Sequence, residues 1–156
     1  MDTFEKVFTG IPYDKFKKFD KEVQNVYMAL MCAQNKSYYE YFEPFLETAK
    51  YLTNFIKTNP RNEYFILTSV GKHNPNHIIR QKLVWLNKHF PIIDLSTNFR
   101  YVHDSCDKAL YAEEDCIIID DYKVVLKAFS EAGGISIDGR CHKNIETNLN
   151  KHLLLS

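Results

Sequence analysis

Apolar residues in the first third of the chain recur mostly at steps of three and four. The positions concerned are Phe16, Phe19, Val23, Val26, Tyr27 and Leu30. This spacing is typical of one face of an amphipathic helix, and Asp14, two residues after Pro12, is its expected N-cap. A second helix is expected over about residues 44–57, with an inner face made of Phe45, Ala49, Leu52 and Phe55.

Short apolar runs without alternation follow in the rest of the chain. Residues 64–68 and 116–119 are rich in aromatic and β-branched side chains, which is typical of strands buried on both faces of a parallel sheet. Helices are expected at 77–89 and 124–132, the latter stopped by Gly133 and Gly134. Further short strand pieces are expected at 92–95, 99–102 and 135–137. The alternation of strands and helices predicts a right-handed, mostly parallel α/β fold.

Composition narrows the classes of protein to which the chain can belong. Its 156 residues fit one domain, and 45% hydrophobic residues suffice for a core. Twenty basic and twenty acidic residues leave no net charge to attract nucleic acid or an anionic membrane, so neither partner is expected. The four scattered cysteines show no disulfide framework, which favours a reducing, cytoplasmic setting.

Polar residues of useful chemistry follow the predicted buried strands. Because the carboxyl ends of parallel strands form a crevice, Thr68 and Ser69 after the first strand can offer hydroxyls to an anion. Lys108 supplies a positive charge, and Asp120 and Asp121 end the strongest predicted strand. Adjacent carboxylates repel one another, and a divalent cation with hard oxygen ligands, Mg²⁺, is the simplest remedy. The set therefore predicts a site that holds a phosphate against Mg²⁺.

Two alternatives stand beside this interpretation. Asp120 and Asp121 could instead cap the helix expected from residue 124, with one carboxylate merely solvated. His103, Cys106, Cys141 and His142 could form a zinc set, although neither pair has finger spacing.

The order of three short motifs carries a family resemblance. ILTS (66–69), DK (107–108) and IIIDD (117–121) resemble the second, third and fourth motifs of the haloacid-dehalogenase (HAD) superfamily. Further features are similar to its 5′(3′)-deoxyribonucleotidase branch: a helix carrying His77, Lys82, Trp85 and Leu86, and a Gly-Gly strand at 133–137. The likeness spans about residues 42–137.

The resemblance implies a HAD-like Rossmannoid three-layer domain over residues 1–156, with a small helical cap at about 9–41 and a core at about 42–150. It implies that Thr68, Ser69 and Lys108 bind the phosphoryl group, with Lys108 the catalytic charge, and that Asp120 and Asp121 hold Mg²⁺. The expected ligand is a phosphorylated small molecule such as a (deoxy)nucleotide. Cap aromatics, among them Tyr38, Tyr39 and Tyr41, would stack on its base or pack between cap helices.

One departure from the family bears on activity. The family's first motif, Asp-x-Asp, supplies its nucleophile and acid/base, and this sequence contains no Asp-x-Asp. We therefore expect either an amino-terminally truncated form or a naturally shortened derivative. The first hypothesis is a nucleotidase-like phosphohydrolase domain of doubtful activity. The second is a non-catalytic HAD-like module that binds a small molecule or a protein partner.

Overall fold

The computed structural model describes residues 13–33 and 39–153, and the statements below concern those residues. It is a mixed α/β structure that divides into two compact units, residues 1–44 with 70–91 and residues 45–69 with 92–156. The α-helices are α1 (Tyr13–Phe16), α2 (Lys21–Ala33), α3 (Leu46–Thr58), α4 (Pro75–His89), α5 (Leu95–Asn98), α6 (Lys123–Glu131) and α7 (His142–Leu153). The strands are β1 (Ile66–Ser69), β2 (Phe99–Val102), β3 (Ile117–Asp120) and β4 (Ile135–Asp138). Two 3₁₀ helices lie at Tyr39–Tyr41 and Ser105–Tyr111.

The first unit is helical over its described residues. Its core consists of buried Val70 and Ile78, against which Met28, Tyr39, Phe42 and Ile79 pack. The Trp85 indole N–H donates to the backbone carbonyl of Phe42 at 2.7 Å, which fastens α4 to the segment after the first 3₁₀ helix. The helix begins at Pro75, where a missing N–H costs nothing.

The predicted inner face of the first amphipathic helix is wrong in part. The helix is interrupted at residues 17–20. Val23, Val26 and Leu30 on α2 are between 41% and 56% exposed. The aromatic positions decide the buried direction instead, because Phe16, Phe19 and Tyr27 pack their rings against one another at 6.0 to 6.3 Å.

The second unit contains two parallel sheets rather than the single sheet that the sequence predicts. β1 pairs with β2, with Ile66 opposite Phe99, and β3 pairs with β4, with Ile117 opposite Ile135. Within the described residues no ladder joins β1 to β3. The two sheets meet through side chains, since Leu67 of β1 packs against the cluster around Ile118 of β3.

Helices cover both faces of the β3–β4 sheet. Successive residues of a strand point to opposite faces, and β3 follows this rule. Ile118 faces a cluster with Val125 and Phe129 of α6. Its neighbour Ile119 packs against the opposite cluster, which holds Ile137, Ile145 and Leu149 and residues of α3.

Several element boundaries agree with the sequence within a few residues, and two details do not. Residues 92–95 are not a strand: the Asp94 carboxylate accepts hydrogen bonds from the Ser96 N–H and hydroxyl and starts the short helix α5. The Ser96 hydroxyl, followed by its N–H, lowers the pKa of Asp94. Phe45, expected on the inner face of a helix, precedes α3 and is 85% exposed. No helix in the described parts of the chain has the length and apolarity needed to span a membrane.

Candidate functional site

The candidate site is organised by the 3₁₀ helix Ser105–Tyr111, named here the bridging helix. Asp104 starts it, because its carboxylate accepts a hydrogen bond from the Cys106 N–H at 2.9 Å. A 3₁₀ helix has three residues per turn, so positions i and i+3 lie on the same face. Ser105 and Lys108 therefore share one face of the bridging helix.

Lys108 connects this helix to the end of β3. Its ammonium nitrogen lies 2.6 Å from Oδ2 of Asp120. The side chains are only 10% and 9% exposed, so the pair is largely removed from solvent. Burying either charge alone would be costly, and the close contact offsets that cost. The lysine and the acidic residue that the sequence assigns to one crevice are thus in direct contact.

Ser105 connects the same helix to the end of β1. Its hydroxyl donates a hydrogen bond to the Ser69 hydroxyl oxygen at 2.9 Å, and both residues are half-buried. The bridging helix therefore contacts the carboxyl end of one sheet through Ser105 and that of the other through Lys108. Ser69, Lys108 and Asp120 are the predicted site residues that these contacts bring together.

Thr68 lies differently from Ser69. Alternation along β1 places the Thr68 side chain on the opposite face of the strand from Leu67 and Ser69. Its partner in the parallel ladder is Tyr101. The two hydroxyls therefore do not point into one space from the same strand face.

Asp120 contacts the turn that leads from β3 to α6. Oδ1 of Asp120 accepts a hydrogen bond from the Tyr122 N–H at 2.9 Å, immediately before α6 begins at Lys123. Asp120 thus holds the turn before the helix, but the prediction that the acidic pair caps α6 is wrong, because the N-cap residue is Tyr122 and no side chain caps the helix there. Asp121 is exposed.

Asp120 keeps acceptor capacity beside its contacts with Lys108 and the Tyr122 N–H. Each carboxylate oxygen carries two lone pairs, so one hydrogen bond to each oxygen of Asp120 leaves acceptor capacity. Mg²⁺ commonly takes one or two protein carboxylates and completes its shell with water and phosphate oxygens. Asp120 and Asp121 are the residues that would hold it.

Sequence reasoning missed a second ion pair at the neighbouring strand end. Asp138 is the ladder partner of Asp120, and its carboxylate accepts from Nε of Arg140 at 2.9 and 3.0 Å and from Nη2 of the same guanidinium. The Arg140 side chain holds the pKa of Asp138 down at about 2. The sequence signal was present, because β3 and β4 both end in aspartate.

The zinc set is not assembled in the described residues. The one group there with its ligand atoms close together is Glu113, Asp115 and Cys116, which lies just before the amino end of β3. His142, a member of the proposed zinc set, instead places Nδ1 3.3 Å from a carboxylate oxygen of Glu47. No other contact among the described residues indicates a metal at the predicted zinc set or at the group of Glu113, Asp115 and Cys116.

The aromatic residues assigned to base stacking have mixed settings. The Tyr39 ring contacts Phe42 edge to face at 5.7 Å, and the Lys82 ammonium lies 4.6 Å from its centre. Tyr39 therefore fits the packing alternative. Tyr41 is exposed, and Tyr38 lies outside the described residues.

Comparison with known proteins adds no relative: no family model, no curated protein and no solved structure matches the chain. The resemblance to the HAD superfamily therefore depends on the ordered motifs of the sequence alone.

Proposed function

We propose that the second unit binds the phosphoryl group of a small molecule, in the manner of a nucleotidase-like phosphohydrolase domain. The observation that carries this proposal is the Lys108–Asp120 contact, formed at the carboxyl end of β3 by a helix that also contacts Ser69. These residues belong to three separate motifs of the sequence. A crevice at strand carboxyl ends is where open α/β folds bind ligands.

Each residue has a role that follows from its chemistry. The Lys108 ammonium is a compact positive charge that can stabilise phosphoryl oxygens, and the hydroxyl of Ser69 can donate to them. Thr68 would contribute through its backbone N–H, because its side chain lies on the other strand face. Electrostatic stabilisation of this kind is the main demand of phosphoryl transfer.

Magnesium would complete the charge balance of the site. Asp120 and Asp121 would hold it, and a bound cation would supply Lewis-acid stabilisation of phosphate oxygens. The charge of Asp120 is already compensated by the Lys108 ammonium. We therefore propose weak Mg²⁺ binding that strengthens when phosphate is present.

Hydrolysis by the 156-residue chain is proposed to be very slow or absent. Phosphohydrolases of the resembled family use the first aspartate of Asp-x-Asp as nucleophile, and no Asp-x-Asp occurs in the sequence. Without an activated nucleophile the covalent route is closed. Binding and charge stabilisation would remain.

A second candidate function, a non-catalytic module that binds a ligand or a protein partner, follows from the hydrogen bond between Asp120 and the Tyr122 N–H. That contact gives Asp120 a structural reason to be present without catalysis. The free cysteines Cys106, Cys116 and Cys141 support a reducing, cytoplasmic setting for either candidate.

A hydrolysis assay combined with metal titration tests the first proposal. The wild-type chain is incubated with deoxynucleoside monophosphates and with p-nitrophenyl phosphate, each with Mg²⁺, and phosphate release is measured. Calorimetry then compares Mg²⁺ binding by the wild type and by Asp121→Asn, with Glu63→Gln as the control, since Glu63 is an exposed carboxylate of the same unit and lies outside the group of Glu113, Asp115 and Cys116.

The proposal predicts little or no turnover, and Mg²⁺ binding that Asp121→Asn weakens and Glu63→Gln leaves unchanged. Equal Mg²⁺ affinity in wild type and Asp121→Asn would contradict the proposed role of Asp121 as a magnesium ligand. Rapid turnover abolished by Asp120→Asn would show that another carboxylate has taken the nucleophile's role.

A further inference from the structure

Ser69 and Ser105 form a hydrogen-bonded pair of hydroxyls, and Ser105 lies outside the three sequence motifs. Ser105 is the first residue of the bridging helix and lies one 3₁₀ turn before Lys108. It donates to the oxygen of Ser69 at 2.9 Å. One short helix thus holds both the serine contact and the lysine contact of the candidate phosphate site.

We propose that Ser105 is a positioning residue for phosphate, acting through Ser69. This inference rests on the proposed function, because it assigns a second hydroxyl to the same phosphate site. The Ser105 hydrogen bond fixes the rotamer of Ser69, and a hydroxyl that accepts a hydrogen bond becomes a better donor to an anion. Ser105 itself need not touch the ligand.

The surroundings of the pair support a fixed arrangement. The Asp104 carboxylate holds the first turn of the bridging helix through the Cys106 N–H. Lys108 at the next turn is anchored to Asp120. Because both turns of the helix are held, Ser105 is already in place to contact Ser69. Little conformational entropy of the helix is therefore lost when phosphate binds.

The chain offers a matched control for this pair. Ser130 donates to Ser136 at the same oxygen–oxygen distance, 2.9 Å, in a contact between α6 and β4. This second pair lies at the amino-terminal part of β4 and the carboxyl-terminal end of α6. Ser130→Ala therefore removes a serine–serine hydrogen bond of the same length, although a more exposed one, away from the strand carboxyl ends.

The test is a calorimetric titration with inorganic phosphate in the presence of Mg²⁺. It compares wild type with Ser105→Ala, Ser105→Thr, Ser69→Ala, the double variant Ser69→Ala/Ser105→Ala, and Ser130→Ala. Thermal unfolding of every variant is measured alongside. We expect Ser105→Ala to weaken phosphate binding about two- to tenfold, the range for one hydrogen bond, with Ser105→Thr close to wild type and Ser130→Ala unchanged.

The double variant separates positioning from direct contact. If Ser105 acts through Ser69, removing it in the Ser69→Ala background causes no further loss of phosphate affinity. Additive losses would overturn the positioning role. Equal affinities of Ser105→Ala and Ser130→Ala would overturn it too, while phosphate binding by the wild type would leave the proposed function standing. No phosphate binding by the wild type would overturn the proposed function and this inference together.

Discussion

The Lys108 ammonium and Oδ2 of Asp120 lie 2.6 Å apart in a setting where both side chains are about nine-tenths buried. The two residues are twelve positions apart in the chain and sit on different elements, the bridging helix and β3. Their contact therefore fixes tertiary structure at the carboxyl end of β3, the place where we propose that phosphate binds.

Removing one partner of this pair should be expensive. Lys108→Met leaves the Asp120 carboxylate buried beside an apolar side chain, and we expect the free energy of unfolding to fall by about 3–5 kcal/mol. Urea denaturation measures the change. Lys127→Met is the control, because the Lys127–Glu131 pair is exposed and 3.7 Å apart; it should cost less than about 1 kcal/mol.

The double variant Lys108→Met/Asp120→Asn should recover part of that loss, since it removes the unpaired charge. A cost for Lys108→Met no larger than that for Lys127→Met would mean that the ion pair does not persist in solution.

The Ile145 side chain belongs to the buried cluster beneath the β3–β4 sheet. It is fully buried among Ile137, Leu149 and residues of α3. Ile145→Ala should lower the free energy of unfolding by about 2–5 kcal/mol, because it leaves a cavity. Leu110→Ala, at a residue 82% exposed, should change stability by no more than about 0.5 kcal/mol. Similar effects of the two variants would contradict the packing of α7 against the sheet.

The Asp138–Arg140 pair predicts a specific behaviour in acid. The pKa of Asp138 is lowered from 3.8 to about 2, chiefly by the hydrogen bonds from the Arg140 side chain. A carboxyl group whose pKa is lower in the folded state contributes stability above its unfolded pKa of 3.8 and loses that contribution as the pH falls through about 2.

Carbon NMR titration of the Asp138 carboxyl measures this directly. The midpoint should lie near 2 in the wild type. It should be higher in Arg140→Ala but still below the ordinary value, because the backbone N–H of residue 140 continues to donate to the carboxylate. Lys127→Ala is a charge-matched control that leaves the midpoint unchanged. A wild-type midpoint near 4 would show that Arg140 does not hold Asp138 in solution.

Local elements of the fold were predictable from the sequence where a short apolar run or a strong periodicity was present. β1 and β3 lie within two residues of the apolar runs that predicted them, and α4 and α6 agree similarly. The order of Ser69, Lys108 and Asp120 along the chain is visible in the sequence. The contacts that join them depend on the bridging helix, whose residues show no strong periodicity.

Long-range pairing was not predictable. The apolar pattern of a buried strand is the same whichever strand it pairs with. The apolar runs therefore could not show that β1 and β3 lie in separate two-stranded sheets. The exposure of Val26 was equally hidden, because its spacing fits a helix face and only the packing of Phe16, Phe19 and Tyr27 decides which face is buried. Ser105 was not predicted as a site residue, because a single serine two residues before Asp107-Lys108 matches no known motif.

Amide NMR spectra recorded during a titration with inorganic phosphate and Mg²⁺ test the central claim most directly. We predict that the largest shifts occur at the carboxyl end of β1, at Ser105 to Lys108 and at Asp120 to Tyr122, with little change at Glu113 to Cys116. Shifts confined to that second acidic group, or no shifts at millimolar phosphate, would contradict the proposal that the bridging helix and the two strand ends form a phosphate site.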